Sequence, residues 1–378
     1  MDLPKQGEPL SVILKLVGES CNIDCGYCYE KRRTYLGSRL LQPETVRTFC
    51  QQIGVHPLSI ELHGGEPLLT PKPILKEILD VLRKHPYPVS LRMQTNALLL
   101  TSDWLDFFAE EWPSIQLGVS LDGDLSANNW RRDMSGEPTH AVVSNALQLI
   151  DKRHLQIGII SVVTRSSLGR AQTILQHLAT YDCVRIIKFV PCFDINVNQG
   201  EGPKRSASTL ALMEKSIDNC MPWAIMPDEY ANFLIDAWQV WYSEDLYHKF
   251  IIEPLSSIIR VLNQNLVTDC HFSSRKCAHV ITLYPDGRIG TCDEIDHSSA
   301  IYGTIDSKTV EPETLWRSSC LSVDTVELMK ICNSCSHKLT CGGGCVATRL
   351  RLEQQGLGIA YCNHRKKIID YVANELSI

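Results

Sequence analysis

The sequence lacks long apolar runs, runs of basic residues, internal repeats and low-complexity segments. Across its 378 residues no segment approaches the roughly 18 consecutive apolar residues that a membrane-spanning helix needs. The net charge is −6, from 37 basic and 43 acidic residues, which argues against a nucleic-acid partner. The first residues, Met1 to Gln6, lack the basic and then apolar pattern of an export signal. We therefore expect a cytoplasmic protein that binds neither membrane nor nucleic acid.

Cysteine, by contrast, is abundant, with 16 residues. Thiols are kept reduced in the cytosol, so clustered cysteines there predict metal binding rather than disulfides. The first cluster is Cys21, Cys25 and Cys28, spaced C-x₃-C-x₂-C directly after a predicted strand. Three thiolates can hold three irons of a four-iron cluster and leave the fourth iron open. An open coordination position is typical of a catalytic metal rather than a structural one.

A second group of eight cysteines lies in the last third of the chain and is sufficient for two fully ligated four-thiolate sites. These residues are Cys270, Cys277, Cys292, Cys332, Cys335, Cys341, Cys345 and Cys362. Their spacing alone leaves structural zinc and iron–sulfur clusters both open. The incomplete three-cysteine site upstream favours iron–sulfur clusters.

Short apolar runs alternate with helical patterns from Ser11 to about Cys192. The predicted strands are Val12–Val17, Leu58–Leu62, Val89–Gln94, Ile115–Ser120, Leu155–Val163 and Val184–Val190. The predicted helices between them are Pro43–Ile53, Pro71–Arg83, Ser102–Glu110, His140–Asp151 and Leu168–Thr180. This alternation predicts an α/β fold, a partial (β/α)6 TIM-like barrel with a parallel sheet. A functional site is then expected at the carboxyl ends of the strands, where the three-cysteine loop lies.

The chain divides by composition into four parts. We expect the barrel over 8–195, a linker with helices over 196–265, a cysteine-rich domain over 266–365 and a C-terminal helix over 366–378. The predicted linker helices are Ala207–Cys220, Asp228–Tyr242 and Glu253–Asn265. Only about ten residues precede the first strand, which leaves no room there for a separate peptide-recognition domain.

The three-cysteine loop, with Tyr27 before its last cysteine, closely resembles that of the radical S-adenosylmethionine (radical SAM) superfamily. Further stretches fit that family at the ends of later strands: Gly64-Gly65-Glu66-Pro67, Gln94-Thr95-Asn96, Ser120-Leu121-Asp122-Gly123 and Val190-Pro191. The resemblance implies a [4Fe-4S] cluster on Cys21, Cys25 and Cys28. It also implies S-adenosylmethionine contacts from Tyr27, Gly64, Gly65, Glu66, Pro67, Gln94, Asn96, Ser120, Asp122 and Val190. Arg131 and Arg132 are further candidates, for the cosubstrate carboxylate, with solvated surface arginines as the alternative.

The later cysteines are similar to the SPASM extension of this superfamily, matching C-x₉₋₁₅-G-x₄-C, a gap, C-x₂-C-x₅-C-x₃-C, a gap and C. The resemblance implies two auxiliary [4Fe-4S] clusters, three clusters in all. The first would use Cys270, Cys277, Cys292 and Cys345, and the second Cys332, Cys335, Cys341 and Cys362. An external one-electron donor of the flavodoxin or ferredoxin type is implied as a partner.

Two enzyme readings compete for the substrate. The stretch Val119–Arg132, with Thr139-His140 after it, most resembles maturases that crosslink a ribosomally made peptide to an aromatic side chain as a cyclophane. Phe189–Cys192, Thr291–Asp293 and the chain length resemble anaerobic sulfatase maturases, which oxidise Cys or Ser to formylglycine. We predict the crosslinking maturase, acting on a precursor peptide with a leader. The sulfatase maturase is the alternative, and a non-catalytic metal-binding protein is a remote one.

Asp293 directly follows Cys292 and would lie beside an auxiliary cluster. In sulfatase maturases an Asp at this place is proposed as general base, and a crosslinking reaction also releases a proton. We therefore predict a catalytic role for Asp293, with a turn or capping carboxylate as the alternative. His63, at the end of the second strand, is expected to be a packed histidine rather than a ligand.

Overall fold

The computed structural model describes residues 3–32, 39–193, 220–267, 269–273, 275–295, 297–305 and 311–377. Apart from Cys220, the predicted helix Ala207–Cys220 lies outside the described residues. Among the described helices none is long and apolar enough to cross a membrane.

A ten-stranded sheet organises the described part of the chain. Its strands are β1 (Leu10–Lys15), β2 (Leu58–His63), β3 (Val89–Thr95), β4 (Gln116–Ser120), β5 (Ile157–Val163), β6 (Val184–Pro191), β7 (Ile251–Glu253), β8 (Val280–Leu283), β9 (Arg288–Gly290) and β10 (Ile301–Thr304). The strand order is β10-β9-β8-β1-β2-β3-β4-β5-β6-β7. All neighbouring pairs from β8 to β7 are parallel, and at one edge of the described sheet β9 runs antiparallel to both β8 and β10.

Helices follow the strands and then dominate the C-terminal part. They are α1 (Pro43–Ile53), α2 (Lys72–Arg83), α3 (Ser102–Glu111), α4 (His140–Lys152), α5 (Ala171–Ala179), α6 (Pro227–Ser243), α7 (Leu255–Leu262), α8 (His297–Ala300), α9 (Pro312–Ser318), α10 (Cys320–Lys330), α11 (Lys338–Cys341), α12 (Val346–Gln354) and α13 (Gly358–Glu375). Proline occupies a first-turn position of α1 and α6, where a missing N–H costs no hydrogen bond.

The two faces of the parallel sheet have different neighbours. Alternate residues of β1, such as Leu10, Val12 and Leu14, are fully buried in the main hydrophobic core. Because side chains alternate along a strand, the intervening positions of the sheet point the other way, and Ser59, Glu61 and others line a cavity of about 540 Å³. The sheet therefore encloses its functional space on one face, as a partial barrel does.

The six predicted strands and the five helices between them are confirmed, within three residues at each end. The sequence pattern did not reveal β7, a seventh parallel strand that lies just before α7. The sheet also crosses position 265, because β8 pairs with β1. The last helix begins at Gly358, eight residues before the predicted start at 366, and so contains Cys362.

Candidate functional site

The three-cysteine loop follows β1 and is held against the segment after β4. The backbone N–H of Asp24 donates to the Arg132 carbonyl at 2.7 Å, and that of Gly26 donates to the Trp130 carbonyl at 3.0 Å. A Cβ at Gly26 would lie 3.0 Å from the Trp223 ring, so the indole packs directly on the loop backbone. The loop is thus fixed from two sides, and all three thiols line the cavity.

The Gly64-Gly65 pair lies against the start of the cysteine loop. The Gly65 N–H donates to the Gly18 carbonyl at 2.8 Å, and a Cβ at Gly65 would lie only 1.8 Å from the Ser20 carbonyl oxygen. Gly64 has a φ of 108°, a conformation that side chains disfavour. Both glycines line the cavity, which agrees with their predicted placement next to the cosubstrate.

Glu66 and Pro67, also predicted to contact the cosubstrate, do not line the cavity. The Glu66 carboxylate is fully buried and accepts hydrogen bonds from Thr95 Oγ1 at 2.7 Å, from the Asn96 N–H at 2.8 Å and from the Leu68 N–H at 3.0 Å. Burial raises the pKa of Glu66, against these hydrogen bonds, which lower it. The structure therefore gives Glu66 the role of joining the ends of β2 and β3.

Four other predicted contacts do line the cavity, namely Gln94, Asn96, Ser120 and Val190. Gln94 Nε2 donates to Ser120 Oγ at 2.9 Å, which orients both side chains at the ends of β3 and β4. Asn96 Nδ2 lies 2.7 Å from Asn22 Oδ1 and 3.7 Å from Cys21 Sγ, so this amide also supports the cysteine loop.

Tyr27, Asp122 and Arg131 form a buried group under the loop. The Tyr27 hydroxyl donates to the Asp122 carboxylate, and Arg131 Nε donates to the same carboxylate at 3.0 Å. Arg131 also lies 3.8 Å from Cys25 Sγ. Burial, the largest cause, raises the pKa of Tyr27 well above its usual value. Tyr27 and Arg131 line the cavity, whereas Asp122 is fully enclosed by its donors and lies outside the wall.

The structure does not place Arg132 at the cavity. Its guanidinium is used by its own loop, with Nε donating to the Asn129 carbonyl at 3.0 Å and Nη1 to the Gly136 carbonyl at 2.9 Å. Arg132 therefore stabilises its own loop. Arg131 remains the candidate for the predicted contact with the cosubstrate carboxylate.

The first predicted auxiliary set gathers at the β8–β9 hairpin. Cys277 directly precedes β8, Cys292 follows β9, and Thr291 Oγ1 donates to the Cys277 carbonyl at 2.7 Å. Lys276 Nζ donates to the Cys270 and Gly344 carbonyls at 2.6 and 3.1 Å, which brings the residue before Cys345 to the same place. Burial and then the Cys345 thiol raise the pKa of Cys277, as expected for neighbouring thiols.

The second predicted set lies at the turns before α12 and on α13. The Cys335 N–H donates to the Cys332 carbonyl at 3.2 Å. Burial is the largest cause that raises the pKa of the Cys362 thiol, and the neighbouring Cys332 and Cys341 thiols raise it further. In all, these thiols lie at three places, the loop after β1, the β8–β9 hairpin and the region from α10 to α13, and the assignment of four thiols to each auxiliary cluster stays a prediction. All sixteen cysteines are free thiols, so each group can offer thiolates to a metal. This donor chemistry fits iron–sulfur clusters.

Asp293 lies in a buried polar network at the cavity wall. Its Oδ2 accepts from the Tyr29 hydroxyl at 2.9 Å and lies 2.7 Å from Lys15 Nζ and 3.4 Å from His63 Nδ1. Lys15 also forms an ion pair with Glu30. The ammonium of Lys15, with an exposed fraction of 1%, therefore lies between two buried carboxylates and contacts both. His63 joins this network, which goes beyond the packing role expected for it.

Sequence reasoning gave no role to Lys15, Glu30 or Trp223. A lone lysine in the otherwise apolar strand LSVILK is a usable signal, because a buried charge requires a partner. Trp223 offers no such signal, since its contact with Gly26 joins residues nearly 200 positions apart.

Residues 16–180 match the family model described as the Radical SAM superfamily. This part of the chain is a radical SAM domain. The serine-type anaerobic sulfatase-maturating enzyme of Bacteroides thetaiotaomicron is 25% identical over 364 residues, covering 92% of this chain and 85% of that protein. The cysteine-type anaerobic sulfatase-maturating enzyme of Clostridium perfringens (strain 13) is 22% identical, covering 96% of each.

Solved structures share the fold around this domain. The structure described as native anSMEcpe with bound AdoMet superposes with a TM-score of 0.80 at 21% identity, covering 98% of each chain. Streptococcus suis SuiB bound to precursor peptide SuiA gives 0.59 at 15% identity, covering 91% of this chain and 73% of SuiB. These superpositions show a shared fold. The sequence similarity to sulfatase-maturating enzymes favours our alternative prediction, the sulfatase maturase, over the crosslinking maturase.

Proposed function

We propose that the protein is a radical SAM maturase that oxidises a Cys or Ser side chain of a sulfatase-type sequence to formylglycine. The observation that carries this proposal is Asp293, which faces the cavity next to Cys292 with its carboxylate held by Tyr29 and Lys15. Similarity to sulfatase-maturating enzymes over nearly the whole chain supports it. A crosslinking enzyme would use the same carboxylate, so the choice between the two activities rests on this similarity.

The residues that would hold the cofactors are those of the three thiol groups and the cavity wall. With S-adenosylmethionine bound at the Cys21–Cys28 loop, the iron–sulfur cluster would supply a 5′-deoxyadenosyl radical that takes a hydrogen atom from substrate. Gly64 and Gly65 let their backbone approach the cosubstrate closely. Trp223 and Trp130 pack with Ile23, Cys25 and Tyr27 in one apolar cluster on the loop, beside the cavity of about 540 Å³.

Asp293 would act on the proton of the reaction. After one hydrogen atom leaves the substrate side chain, loss of one further electron and one proton gives a thioaldehyde from Cys, or the aldehyde itself from Ser. The thiol or hydroxyl group of the substrate carries that proton. Water then replaces the sulfur of the thioaldehyde and H₂S leaves, and a cluster held by the neighbouring thiols would accept the electron. Tyr29, Lys15 and His63 all contact Oδ2 of Asp293, which fixes the carboxylate at the cavity wall, where it would accept the proton.

The test uses the anaerobically reconstituted full-length protein, a low-potential reductant, S-adenosylmethionine and a peptide containing Cys-x-Pro-x-Arg. We expect a product whose mass reflects loss of H₂S and gain of one oxygen, and which reacts with a hydrazide probe as an aldehyde. A peptide with Ala in place of the Cys is the control. A Cys peptide and the matching Ser peptide that both stay unchanged while S-adenosylmethionine is cleaved would contradict the proposal.

The crosslinking maturase remains the second candidate because of the stretch Val119–Arg132. It predicts loss of two hydrogen atoms from a precursor peptide with an aromatic residue and no reaction with the hydrazide. Coexpression with a small neighbouring reading frame, followed by mass spectrometry, separates the two activities.

A further inference from the structure

Two arginines at the second thiol group, Arg349 and Arg365, have no part in the proposed reaction. Both are buried, with exposed fractions of 1% and 7%. Arg349 lies on α12, shortly after Cys345, and Arg365 lies on α13, three residues after Cys362. A buried guanidinium is costly unless its donors are satisfied, so what each one contacts is informative.

Each guanidinium donates to a different thiol of the second group. Arg349 Nη1 lies 3.4 Å from Cys332 Sγ, and Arg365 Nε lies 3.1 Å from Cys341 Sγ. Their remaining donors are taken by backbone carbonyls: Gly343 at 3.1 Å and Leu328 at 2.9 Å for Arg349, Cys341 at 2.8 Å and His271 at 3.2 Å for Arg365. Both guanidinium groups are therefore held in place, each with an N–H directed at a cysteine sulfur.

Neither arginine is neutralised by a carboxylate. Within the described residues, no Asp or Glu oxygen lies within ion-pair distance of Arg349 or Arg365, whereas Arg131 next to Cys25 is paired with Asp122 at 3.0 Å. The first auxiliary group has one buried cation, Lys276, beside Cys270 and Cys277. It also has two carboxylates beside its thiols, Asp269 at Cys270 and Asp293 at Cys292, each paired with a lysine. The second group is thus the one with two buried positive charges that lack a contacting carboxylate.

We propose that Arg349 and Arg365 raise the reduction potential of the iron–sulfur cluster at Cys332, Cys335, Cys341 and Cys362 above that of the cluster at the first auxiliary group. The proposal rests on the cluster assignment given above. One-electron reduction adds a negative charge to a group that is already anionic because of its four thiolates. Hydrogen bonds to sulfur and nearby positive charge stabilise that added electron, and both therefore raise the reduction potential of a cluster. Arg349 and Arg365 act here as positioning and tuning residues.

The test is a dithionite titration of the anaerobically reconstituted full-length protein, followed by electron paramagnetic resonance. The background carries Cys21→Ala, Cys25→Ala and Cys28→Ala, which removes the signal of the radical SAM site. The signal that Cys335→Ala alters belongs to the second group. We expect this signal to appear at the higher potential of the two.

Arg349→Met and Arg365→Met should each lower that midpoint by about 59 mV or more, a tenfold fall in the one-electron equilibrium constant. Arg349→Lys keeps the positive charge but has fewer N–H groups. Its midpoint potential should therefore lie between those of the wild type and Arg349→Met. Lys367→Met is the matched control, because Lys367 lies on the same helix as Arg365 but binds Asp228 and Asn232 at 2.6 and 2.7 Å. It should leave the midpoint unchanged.

Unshifted midpoints in iron-loaded Arg349→Met, Arg349→Lys and Arg365→Met would overturn the proposal, even if the enzyme makes formylglycine. A second-group midpoint below that of the first group would also overturn it. A shift with the expected order would support it. If the protein with its three loop cysteines intact makes no formylglycine, only the proposed function is refuted.

Discussion

At the scale of single residues, the site depends on buried charges that the cavity brings together. Lys15, Glu30 and Asp293 come from β1, the cysteine loop and the turn after β9, and they form one ion-pair network. A charge removed from water is stable only with a partner, so each member depends on the others. The same residues that favour the proposed chemistry therefore also affect stability.

Asp293→Asn should lower the rate of aldehyde formation by about 10²- to 10⁴-fold, because the amide cannot accept the substrate proton. Cleavage of S-adenosylmethionine should continue, since Asp293 is not required for it in our proposal. Glu294→Gln is the control, because the adjacent carboxylate is bound by Arg351 at 3.4 Å instead. Equal losses in both variants would argue against the base role.

Lys15→Met should lower the free energy of unfolding by about 3–5 kcal/mol, because it leaves two buried carboxylates without the ammonium between them. Urea unfolding of the metal-free protein measures this. Lys76→Met, which removes an exposed lysine paired with Glu111, should have no measurable effect. A Lys15 variant as stable as the wild type would mean that Glu30 and Asp293 are already solvated.

His140 and His177 predict a pH dependence of stability away from the cavity. Their Nε2 atoms lie 3.1 Å apart, and burial is the largest cause that lowers the pKa of each below the ordinary 6.5. The unfolded chain therefore binds more protons just below that value, so stability is full above it and falls as the pH drops. Urea unfolding between about pH 8 and pH 5 should show a smaller fall for His140→Gln than for the wild type.

At the scale of elements, the strand ends position the site. Strand and helix positions could be predicted because apolar periodicity and first-turn prolines are local signals. Strand β7 could not be predicted, because it has only three residues and a helical pattern follows them directly. The partners of Glu66 and Arg132 were also beyond the sequence, because a family motif identifies residue types and not which atoms their side chains bind.

Gly65→Ala should lower the free energy of unfolding by at least about 4 kcal/mol, because its Cβ would overlap the Ser20 carbonyl oxygen, a backbone atom that cannot easily move. At Gly54 a Cβ would meet no atom within 4 Å, and the backbone φ is 69°. Gly54→Ala should therefore cost only about 1–3 kcal/mol of backbone strain. Chemical unfolding of both variants gives the comparison, and equal costs would refute the close approach at Gly65.

At the scale of the whole molecule, the continuous sheet joins parts that composition separates. The pairing of β8 with β1 places the cysteine-rich region on the edge of the barrel sheet, over the register Ser11–Leu14 with Val280–Leu283. Composition changes near 265 because cysteine and glycine serve the thiol groups there. The amino-acid composition carries no information about which strand the next apolar segment pairs with.

We expect the metal-free protein to unfold in one cooperative transition, because separating the cysteine-rich region would expose the edge of β1. Far-ultraviolet circular dichroism follows the unfolding of the whole chain. Tryptophan fluorescence follows the C-terminal region, because the emission that is missing in Trp316→Phe comes from that buried residue. The two urea curves should coincide. An earlier transition for Trp316 would show that the C-terminal region unfolds separately.

The pairing of β8 with β1 also affects how the protein is made. During synthesis β1 leaves the ribosome first, but its outer neighbour follows about 270 residues later, some tens of seconds at typical elongation rates. Throughout that interval one edge of an apolar strand, next to the three loop thiols, has no permanent partner. Chaperone binding to the nascent chain, or delayed delivery of iron and sulfur until Leu283 has emerged, would protect that edge, and the sequence distance between the two strands sets how long the protection must last.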